Sequence, residues 1–292
     1  MNYSKEEIRK AARALSERYR QGTPPFLRSP IDRHAYLLTR FPATAAALKR
    51  VFQEIRTFPI QSMLDIGAGP GTSWEAASET WSSLKRATLV ERDADFVEIG
   101  RSMTPADSVA WVCREASALK GMERHDLVLF SYSWGEIGDL AVLEQAWQLA
   151  GQFLVVVEPG TPLGFTRMLK ARDFCTQQGG IVYAPCPHSH ACPWEKSSDW
   201  CHFGVRLQRS FEHRHAKEAA LGYEDEKFSY VILSKQEKPS PGSRLLRDPI
   251  RRKGHTLLTL CTEQGIEKIT LTKSHKEQYK KANKMNWGDR FL

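Results

Sequence analysis

The sequence contains no apolar stretch long enough to cross a lipid bilayer. Its longest aliphatic run is Phe153 to Val157, whereas a membrane-spanning helix needs about 20 apolar residues. The first residues, Met1 to Glu7, lack the apolar region of a secretory signal, and their acids are not typical of a transit peptide. These absences predict a soluble, cytoplasmic protein in a reducing compartment, with no membrane partner.

The positive charge lies at one end of the chain. The 292 residues contain 42 Lys and Arg and 34 Asp and Glu, which gives a net charge of +8. From Lys235 to Leu292 there are 14 basic and 6 acidic residues, so this segment carries the whole excess. A basic segment on a neutral body favours a polyanionic partner, most often nucleic acid. The alternative is a solvated surface that is merely rich in lysine.

The hydrophobic pattern predicts two N-terminal helices followed by an α/β unit. Residues 4–20 have a capping-box spacing at Ser4 and Glu7, and a second helix over 31–55 is expected to be interrupted near Pro42. Beyond Pro59, apolar strands alternate with helical stretches, a pattern typical of a parallel sheet covered on both faces. The predicted strands are Ser62–Ile66, Ala87–Glu91, Ser108–Cys113, Asp126–Phe130 and Phe153–Glu158.

Two later strands are expected to complete this sheet. Phe228–Leu233 and Ile266–Leu271 would form an antiparallel pair at its edge. Residues 235–255, rich in Lys, Arg, Pro, Gly and Ser, are predicted to be an exposed loop.

A glycine-rich loop follows the first strand directly. It reads Asp65-Ile-Gly67-Ala-Gly69-Pro-Gly71, and glycines at such a turn let the backbone approach a ligand closely. The second strand ends in Glu91, which lies 24 residues after Gly67 and suits the hydroxyls of a ribose. The spacing resembles the S-adenosylmethionine loop of methyltransferases more than a dinucleotide loop.

The rest of the predicted cofactor site follows from that resemblance. Class I methyltransferases place a side chain near the adenine after the third strand, where this chain has Ala116 and Ser117. The predicted cofactor-binding residues are Asp65, Gly67, Gly69, Gly71, Glu91 and Ser117.

No residue for catalysis can be assigned. After the fourth strand the chain reads Ser131-Tyr-Ser-Trp-Gly-Glu136, without the Asn/Asp-Pro-Pro-aromatic box of enzymes that methylate exocyclic amines. No Cys is placed like the nucleophile of cytosine-C5 enzymes. Methyl transfer depends largely on proximity and alignment, so a missing base does not exclude it. Glu136 is a candidate base or, alternatively, a surface residue.

Three cysteines lie close together in a loop rich in Pro, His and Trp. In a reducing compartment Cys186, Cys192 and Cys201 favour metal binding over disulfides. Cys261 is the natural fourth ligand, with His188, His190 and His202 as competitors. Zinc and iron–sulfur clusters both accept four thiolates, so both remain open. Of the other two cysteines, Cys113 is predicted to lie in a buried strand and Cys175 to pack on a helix.

Several segments together resemble the small-ribosomal-subunit methyltransferase-like family, which comprises mitochondrial small-subunit assembly factors and their bacterial relatives. The carrying segments are Asp65–Thr72, Val157–Phe165, Pro185–His188, Cys192-Pro193, Trp200–Phe203 and Tyr279–Ala282 with Asn286–Asp289. The chain departs from the family ending at Asn283, where Arg is expected.

The resemblance implies a class I, Rossmann-like methyltransferase fold that carries a 4Fe–4S cluster. By position its ligands would be Cys186, Cys192, Cys201 and Cys261. It also implies binding to the small ribosomal subunit and its rRNA, either as an rRNA methyltransferase or as a non-catalytic assembly protein. A third hypothesis is a small-molecule methyltransferase whose loop is held by zinc.

Four regions are therefore expected. They are an N-terminal helical region (1–58), the S-adenosylmethionine-binding core (59–165), a Cys-rich cluster-binding insertion (166–215) and C-terminal strands with a basic RNA-binding region (216–292). Trp194, Trp200 and Trp287 are candidates for stacking on bases or for core packing. The candidate phosphate contacts are Arg206, Arg209, Arg214, Arg244, Arg247, Arg251, Arg252, Lys253, Lys276, Lys280, Lys281 and Lys284.

Overall fold

The structure is a computed structural model that describes residues 3–21, 27, 29–105, 107–236 and 242–291. Within these ranges no helix is both long enough and apolar enough to span a membrane.

Two helices precede the first strand. Helix α1 (Lys5–Gln21) begins at the predicted capping box, in which the backbone N–H of Ser4 donates to the Glu7 carboxylate at 2.8 Å. Helix α2 (Pro30–Phe52) begins at Ser29, whose hydroxyl accepts the backbone N–H of Asp32 at 3.4 Å.

The expected interruption of α2 near Pro42 is wrong, because the helix continues through this residue. A proline removes one backbone hydrogen bond, but burial of the helix face on both sides of it outweighs that loss. Ala35, Ala43 and Leu48 on this face are fully buried, and burial of apolar surface is the main force that stabilises a helix in a protein.

The main sheet has eight strands. They are β1 (Ser62–Ile66), β2 (Arg86–Glu91), β3 (Val109–Cys113), β4 (His125–Ser131), β5 (Ala150–Pro159), β6 (Ile181–Ala184), β7 (Phe203–Gln208) and β8 (Tyr223–Ser234). Their order is β3-β2-β1-β4-β5-β8-β6, with β7 paired to one end of the long strand β8. The first five strands are parallel, and β8 is antiparallel to β5. This mixed sheet has the methyltransferase-like Rossmann architecture that was expected.

Helices cover the two faces of this sheet. The helices after α2 are α3 (Thr72–Thr80), α4 (Ala94–Met103), α5 (Trp134–Ile137), α6 (Leu140–Leu149), α7 (Pro162–Gln177) and α8 (Phe211–Ala216). Helix α2 packs on α3, and α7 packs on β5 and β8.

The prediction that two later strands complete the main sheet is half right. Phe228–Leu233 lies in that sheet, antiparallel to β5, as expected, whereas Ile266–Leu271 lies in a second sheet formed by the last strands. The order of this second sheet is β10-β11-β9-β13, with β12 paired to β11. Strands β11 and β12 are joined by a two-residue turn, and such a local hairpin closes with less loss of chain entropy than a distant pairing. The elements are β9 (Ser243–Leu245), β10 (Ile250–Arg252), β11 (His255–Thr262), β12 (Gly265–Thr272), a 3₁₀ turn (Lys273–His275), α9 (Lys276–Lys284) and β13 (Arg290–Phe291).

The prediction of an exposed loop over 235–255 is wrong in part. Residues 237–241 lie outside the described residues; in the remainder, residues 250–253 are exposed as expected, but the short strands β9 and β10 are present. Arg244, Leu245 and Leu246 are each no more than 2% exposed. The apolar side chains pack into the cores on either side, and Arg244 pairs with a buried carboxylate of Glu54, far away in sequence.

Cys113 is exposed rather than buried. It is the last residue of β3, which is the edge strand of the main sheet. An edge strand is covered less completely than the central strands, and this explains the difference. Cys175 lies on α7 and is buried, as predicted.

Candidate functional site

The glycine loop turns sharply between β1 and α3. Gly67, Gly69 and Gly71 have φ values of +78°, +54° and +85°, a region that favours glycine. A Cβ on Gly67 would lie 2.5 Å from the Cβ of Ser133, so the loop also needs glycine for lack of space. The backbone N–H of Gly69 donates to Glu91 Oε2 at 2.8 Å, which fixes this acid against the loop.

A cavity of about 500 Å³ lies at the carboxyl ends of the parallel strands. Four of the predicted cofactor residues line it, namely Gly67, Gly69, Glu91 and Ser117. In doubly wound sheets ligands bind in this position. The structure therefore brings these four residues together, and their role in binding stays a prediction.

Asp65 and Gly71, at the two ends of the loop, do not line the cavity. Asp65 is fully buried, and one of its carboxylate oxygens accepts a hydrogen bond from the hydroxyl of Ser73. Its Oδ1 atom has no hydrogen-bond partner among the described residues, and burial raises the pKa of the carboxyl to about 7. Gly71 packs against Trp111, since a Cβ here would lie 3.1 Å from that ring.

The N-terminal helices supply a wall of the cavity that was not predicted. Tyr19 of α1 and Tyr36 of α2 line it, and burial raises the pKa of Tyr36 to about 12. On α2, Arg33 donates to Asp93, the N-cap of α4, at 2.6 Å. Because these contacts join segments distant in sequence, no local pattern indicates them.

The opposite wall follows β4. Tyr132 has a φ of +58°, which is uncommon outside glycine, and its hydroxyl bonds to Glu226 at 3.2 Å. Glu136 also lines the cavity and lies 3.7 Å from Arg92. Although the Glu136 side chain is 31% exposed, partial burial raises its pKa to about 7, which suits a proton acceptor near neutral pH.

The four predicted cysteine ligands line a second cavity. Cys186, Cys192 and Cys201 come from residues 185–202, and Cys261 comes from β11 of the second sheet. The other walls include Phe165, Met168 and Leu169 of α7. Of the competing histidines, His188 has its Nε2 atom 3.9 Å from Cys261 Sγ.

Two buried arginines face the thiols, and sequence reasoning missed the role of both. Arg172 of α7 is 1% exposed, and its charge and a hydrogen bond couple it to Cys186. Arg244 lines the cavity and is 2% exposed. Burial, followed by the neighbouring thiols, raises the pKa of Cys201 well above its usual value.

The predicted metal site is not confirmed. As the side chains stand, the described part of the chain has no group of three or more His, Cys, Asp or Glu that could hold a metal ion. The structure does show that four thiols, from two segments distant in sequence, line one cavity.

Several predicted phosphate contacts have structural partners instead. Arg206 pairs with Asp225 at 2.7 Å, and Arg251 donates to the carbonyl of Asn283 at 3.0 Å. Asn283 itself accepts a hydrogen bond from the hydroxyl of Thr256 at 2.8 Å, so it stabilises the second sheet. The candidates that remain exposed at the C-terminal end are Arg251, Arg252, Lys253, Lys276, Lys280, Lys281 and Lys284.

The chain matches a family model described as mitochondrial small ribosomal subunit Rsm22, over residues 30–292. The chain belongs to this family. The resemblance to small-subunit methyltransferase-like assembly proteins is thereby confirmed.

Rsm22-family relatives occur in animals and fungi. The human ribosome assembly protein METTL17, mitochondrial, is 27% identical over 284 residues, which cover 87% of this chain and 61% of that protein. The Saccharomyces cerevisiae ribosome assembly protein RSM22, mitochondrial, is 22% identical, covering 74% of this chain and 52% of that protein. The chain thus spans about half the length of these relatives.

These names contradict the prediction of a cytoplasmic location, because the relatives are mitochondrial proteins. The sequence argument rested on the lack of a targeting segment at the N-terminus, and that lack does not establish a location.

Two solved structures with a similar fold are named as methyltransferases. A putative RNA methyltransferase from Pyrococcus horikoshii has a TM-score of 0.44 and 14% identity, covering 80% of this chain and all of that chain. The plantazolicin methyltransferase BpumL in complex with SAH has a TM-score of 0.45 and 12% identity, covering 79% of this chain and 98% of that chain.

Proposed function

We propose that this protein binds S-adenosylmethionine, carries a 4Fe–4S cluster and acts on the small ribosomal subunit during its assembly. Membership of the Rsm22 family over residues 30–292 is the observation that carries the proposal. Relatives matched over most of this chain are named ribosome assembly proteins.

The cavity at the strand ends supports cofactor binding. Glu91 is held at its edge by the N–H groups of Gly69 and Asp93, each 2.8 Å from a carboxylate oxygen. This carboxylate would bind the ribose hydroxyls, and Ser117 would lie near the adenine. The left-handed glycines expose the loop backbone to the methionine part of the cofactor.

The thiol cavity supports the cluster. Cys186, Cys192, Cys201 and Cys261 would be its ligands, and a bound cluster would join the loop 185–202 to the second sheet. Zinc and a 4Fe–4S cluster both accept four thiolates, and the family resemblance is what favours the cluster. Arg172 and Arg244 would offset its negative charge.

The exposed basic residues of the C-terminal region support contact with rRNA. The side chains of Lys276, Lys280 and Lys284 on α9 are exposed, and Arg252 and Lys253 lie at the β10–β11 turn. Such residues neutralise phosphates, so the binding they provide weakens as salt rises.

Two forms of this function differ in chemistry. An rRNA methyltransferase would use Glu136 or simple alignment of the substrate, whereas a non-catalytic assembly protein would bind the cofactor without methyl transfer. The position of Glu136 in the cavity and its raised pKa favour the enzyme. The confinement of the net positive charge to residues 235–292 argues against a small-molecule methyltransferase held by zinc.

Binding measurements test the proposal. Calorimetry of anaerobically purified protein should detect S-adenosylmethionine binding, and co-sedimentation with small ribosomal subunits should weaken as salt increases. A triple variant Lys276→Glu, Lys280→Glu and Lys284→Glu should lose the subunit and keep the cofactor. Lack of cofactor binding by folded, cluster-loaded protein would reject the enzyme, and salt-insensitive or absent subunit binding would reject the ribosomal role.

A further inference from the structure

The segment Glu158–Phe165, which joins β5 to α7, contacts the wall of the cofactor cavity. Glu158 is 1% exposed, and its Oε1 atom accepts the backbone N–H of Gly135 at 2.9 Å. Gly135 lies between Ser133 and Glu136, both of which line the cavity. The Glu158 carboxylate therefore fixes the position of this wall.

Helix α7 contacts the same wall a second time. Its Arg167 lies 3.9 Å from Glu158 Oε2, and the ring N–H of Trp134 donates to the Arg167 carbonyl at 2.9 Å. A Cβ on Gly135 would lie 2.4 Å from the Arg167 guanidinium, so the two segments are in close contact. A small shift of α7 would be transmitted directly to residues 134–136.

The other face of α7 forms part of the thiol cavity. Phe165, Met168 and Leu169 line that cavity, and Arg172 is coupled to Cys186. The loop reaches back to the start of this segment, since the ring N–H of Trp200 donates to the Gly160 carbonyl at 3.0 Å. One helix and its leading segment thus touch both cavities.

The loop that carries three of the thiols has little structure of its own. Residues 185–202, all of which the structure describes, contain no helix or strand. Its contacts include an ion pair between Arg247 and Asp199, the bond from Trp200 to Gly160, and bonds from Arg244 and Ser229 to the carbonyls of Pro185 and Cys201. A cluster bound to its thiols would add attachments on the side of the loop that faces α7.

We propose that the cluster controls the affinity for S-adenosylmethionine through α7 and the Glu158–Phe165 segment. The inference rests on the proposed function, because it requires both ligands. With the cluster bound, Trp200 and the cavity side chains hold α7 in place, and Glu158 keeps residues 134–136 in their binding position. Without the cluster, the loop loses its anchor, α7 shifts and the cofactor cavity loses this wall.

Coupling of this kind changes an equilibrium affinity by about 5- to 150-fold. Calorimetry should therefore find that S-adenosylmethionine binds at least about fivefold more weakly after the cluster is removed by chelation. Circular dichroism would establish that the depleted protein remains folded. Equal dissociation constants for the loaded and depleted proteins would overturn the inference and leave the proposed function intact.

A pair of tryptophan variants tests the route in cluster-loaded protein. Trp200→Phe keeps an aromatic ring but removes the N–H that reaches Gly160, so it should weaken cofactor binding about fivefold while iron is retained. Trp81→Phe is the matched control, because its buried ring N–H has no hydrogen-bond partner among the described residues. Its affinity should be unchanged.

The possible outcomes distinguish a failure of the proposed coupling from a failure of the proposed function. Equal affinities for the two loaded variants would reject the route through Trp200. If Trp200→Phe fails to retain iron, the comparison of loaded and depleted wild-type protein decides the inference. If the depleted wild-type protein is unfolded, the loaded variants decide it. Wild-type protein that holds no iron, or that binds no S-adenosylmethionine when loaded, would reject the proposed function itself.

Discussion

Replacement of Glu54 by Gln should destabilise the protein strongly, although Glu54 lies outside both cavities. Its carboxylate accepts hydrogen bonds from Arg244 at 2.9 and 3.0 Å and from Arg290 at 3.0 Å. The side chains of Glu54 and Arg244 are 7% and 3% exposed. This pair joins the end of α2 to the second sheet, 190 residues away.

The expected loss of folding stability follows from the buried charge that Glu54→Gln leaves unpaired. A neutral amide at this position would leave the buried charge of Arg244 without a counterion, and breaking a buried pair costs about 3–5 kcal/mol. The pKa of Glu54 gives a similar figure. Burial alone would raise this pKa, but attraction to Arg244 and Arg290 outweighs burial and lowers it from 4.5 to about 2. That shift corresponds to about 3 kcal/mol.

Urea unfolding at pH 7 measures the effect, with Glu277→Gln as the control. Glu277 is 83% exposed and pairs with Lys280 on the surface, so its substitution should change stability by less than about 1 kcal/mol. Because the folded pKa of Glu54 lies below the unfolded value, the wild-type advantage should be lost as pH falls from 4.5 towards 2. A loss below about 1 kcal/mol in Glu54→Gln would refute the reasoning.

Three further predictions concern the two cavities. Gly67→Ala should weaken S-adenosylmethionine binding at least tenfold in calorimetry. The left-handed backbone alone costs an alanine roughly 1–2 kcal/mol, and the added methyl group would clash with Ser133. An unchanged affinity would contradict this prediction. Cys201→Ser should lose iron and Cys113→Ser, exposed at the sheet edge, should keep it; iron retained in Cys201→Ser would reject the ligand set. Burial raises the pKa of Asp65 to about 7 in the folded protein. As pH rises, the unfolded chain therefore loses this proton at a lower pH than the folded protein does, and the free energy of unfolding of the wild type should fall between about pH 4 and 7. Urea midpoints of Asp65→Asn should lack that fall, and an identical pH profile would argue against it.

The parallel strands could be predicted because burial on both faces makes them continuously apolar. All five residues of β1 are buried, and it begins and ends at the predicted residues. Cys186, Cys192, Cys201 and Cys261 could be grouped from the sequence because several thiols in or near a Pro-rich loop are typical of a metal site, and the structure places all four around one cavity. The glycine loop could be placed because its φ values require glycine.

The second sheet could not be predicted from local pattern. Strands β9 and β10 have three residues each, which is too short for a recognisable alternation. Arg244 looked like a phosphate contact because nothing near it in sequence indicates Glu54 as its partner. Pro42 likewise looked like a helix break, since the burial that stabilises α2 comes from packing against α1, α3 and later strands of the main sheet. In each case contacts between distant segments outweighed the local preference.

We propose above all that the four cysteines in one cavity hold an iron–sulfur cluster in this methyltransferase-like protein. Iron and acid-labile sulfide in the anaerobically purified protein test this most directly. We expect about four iron atoms and four sulfides per chain, with a brown colour that is absent in Cys201→Ser. A colourless wild-type protein that contains zinc, or no metal, would contradict it.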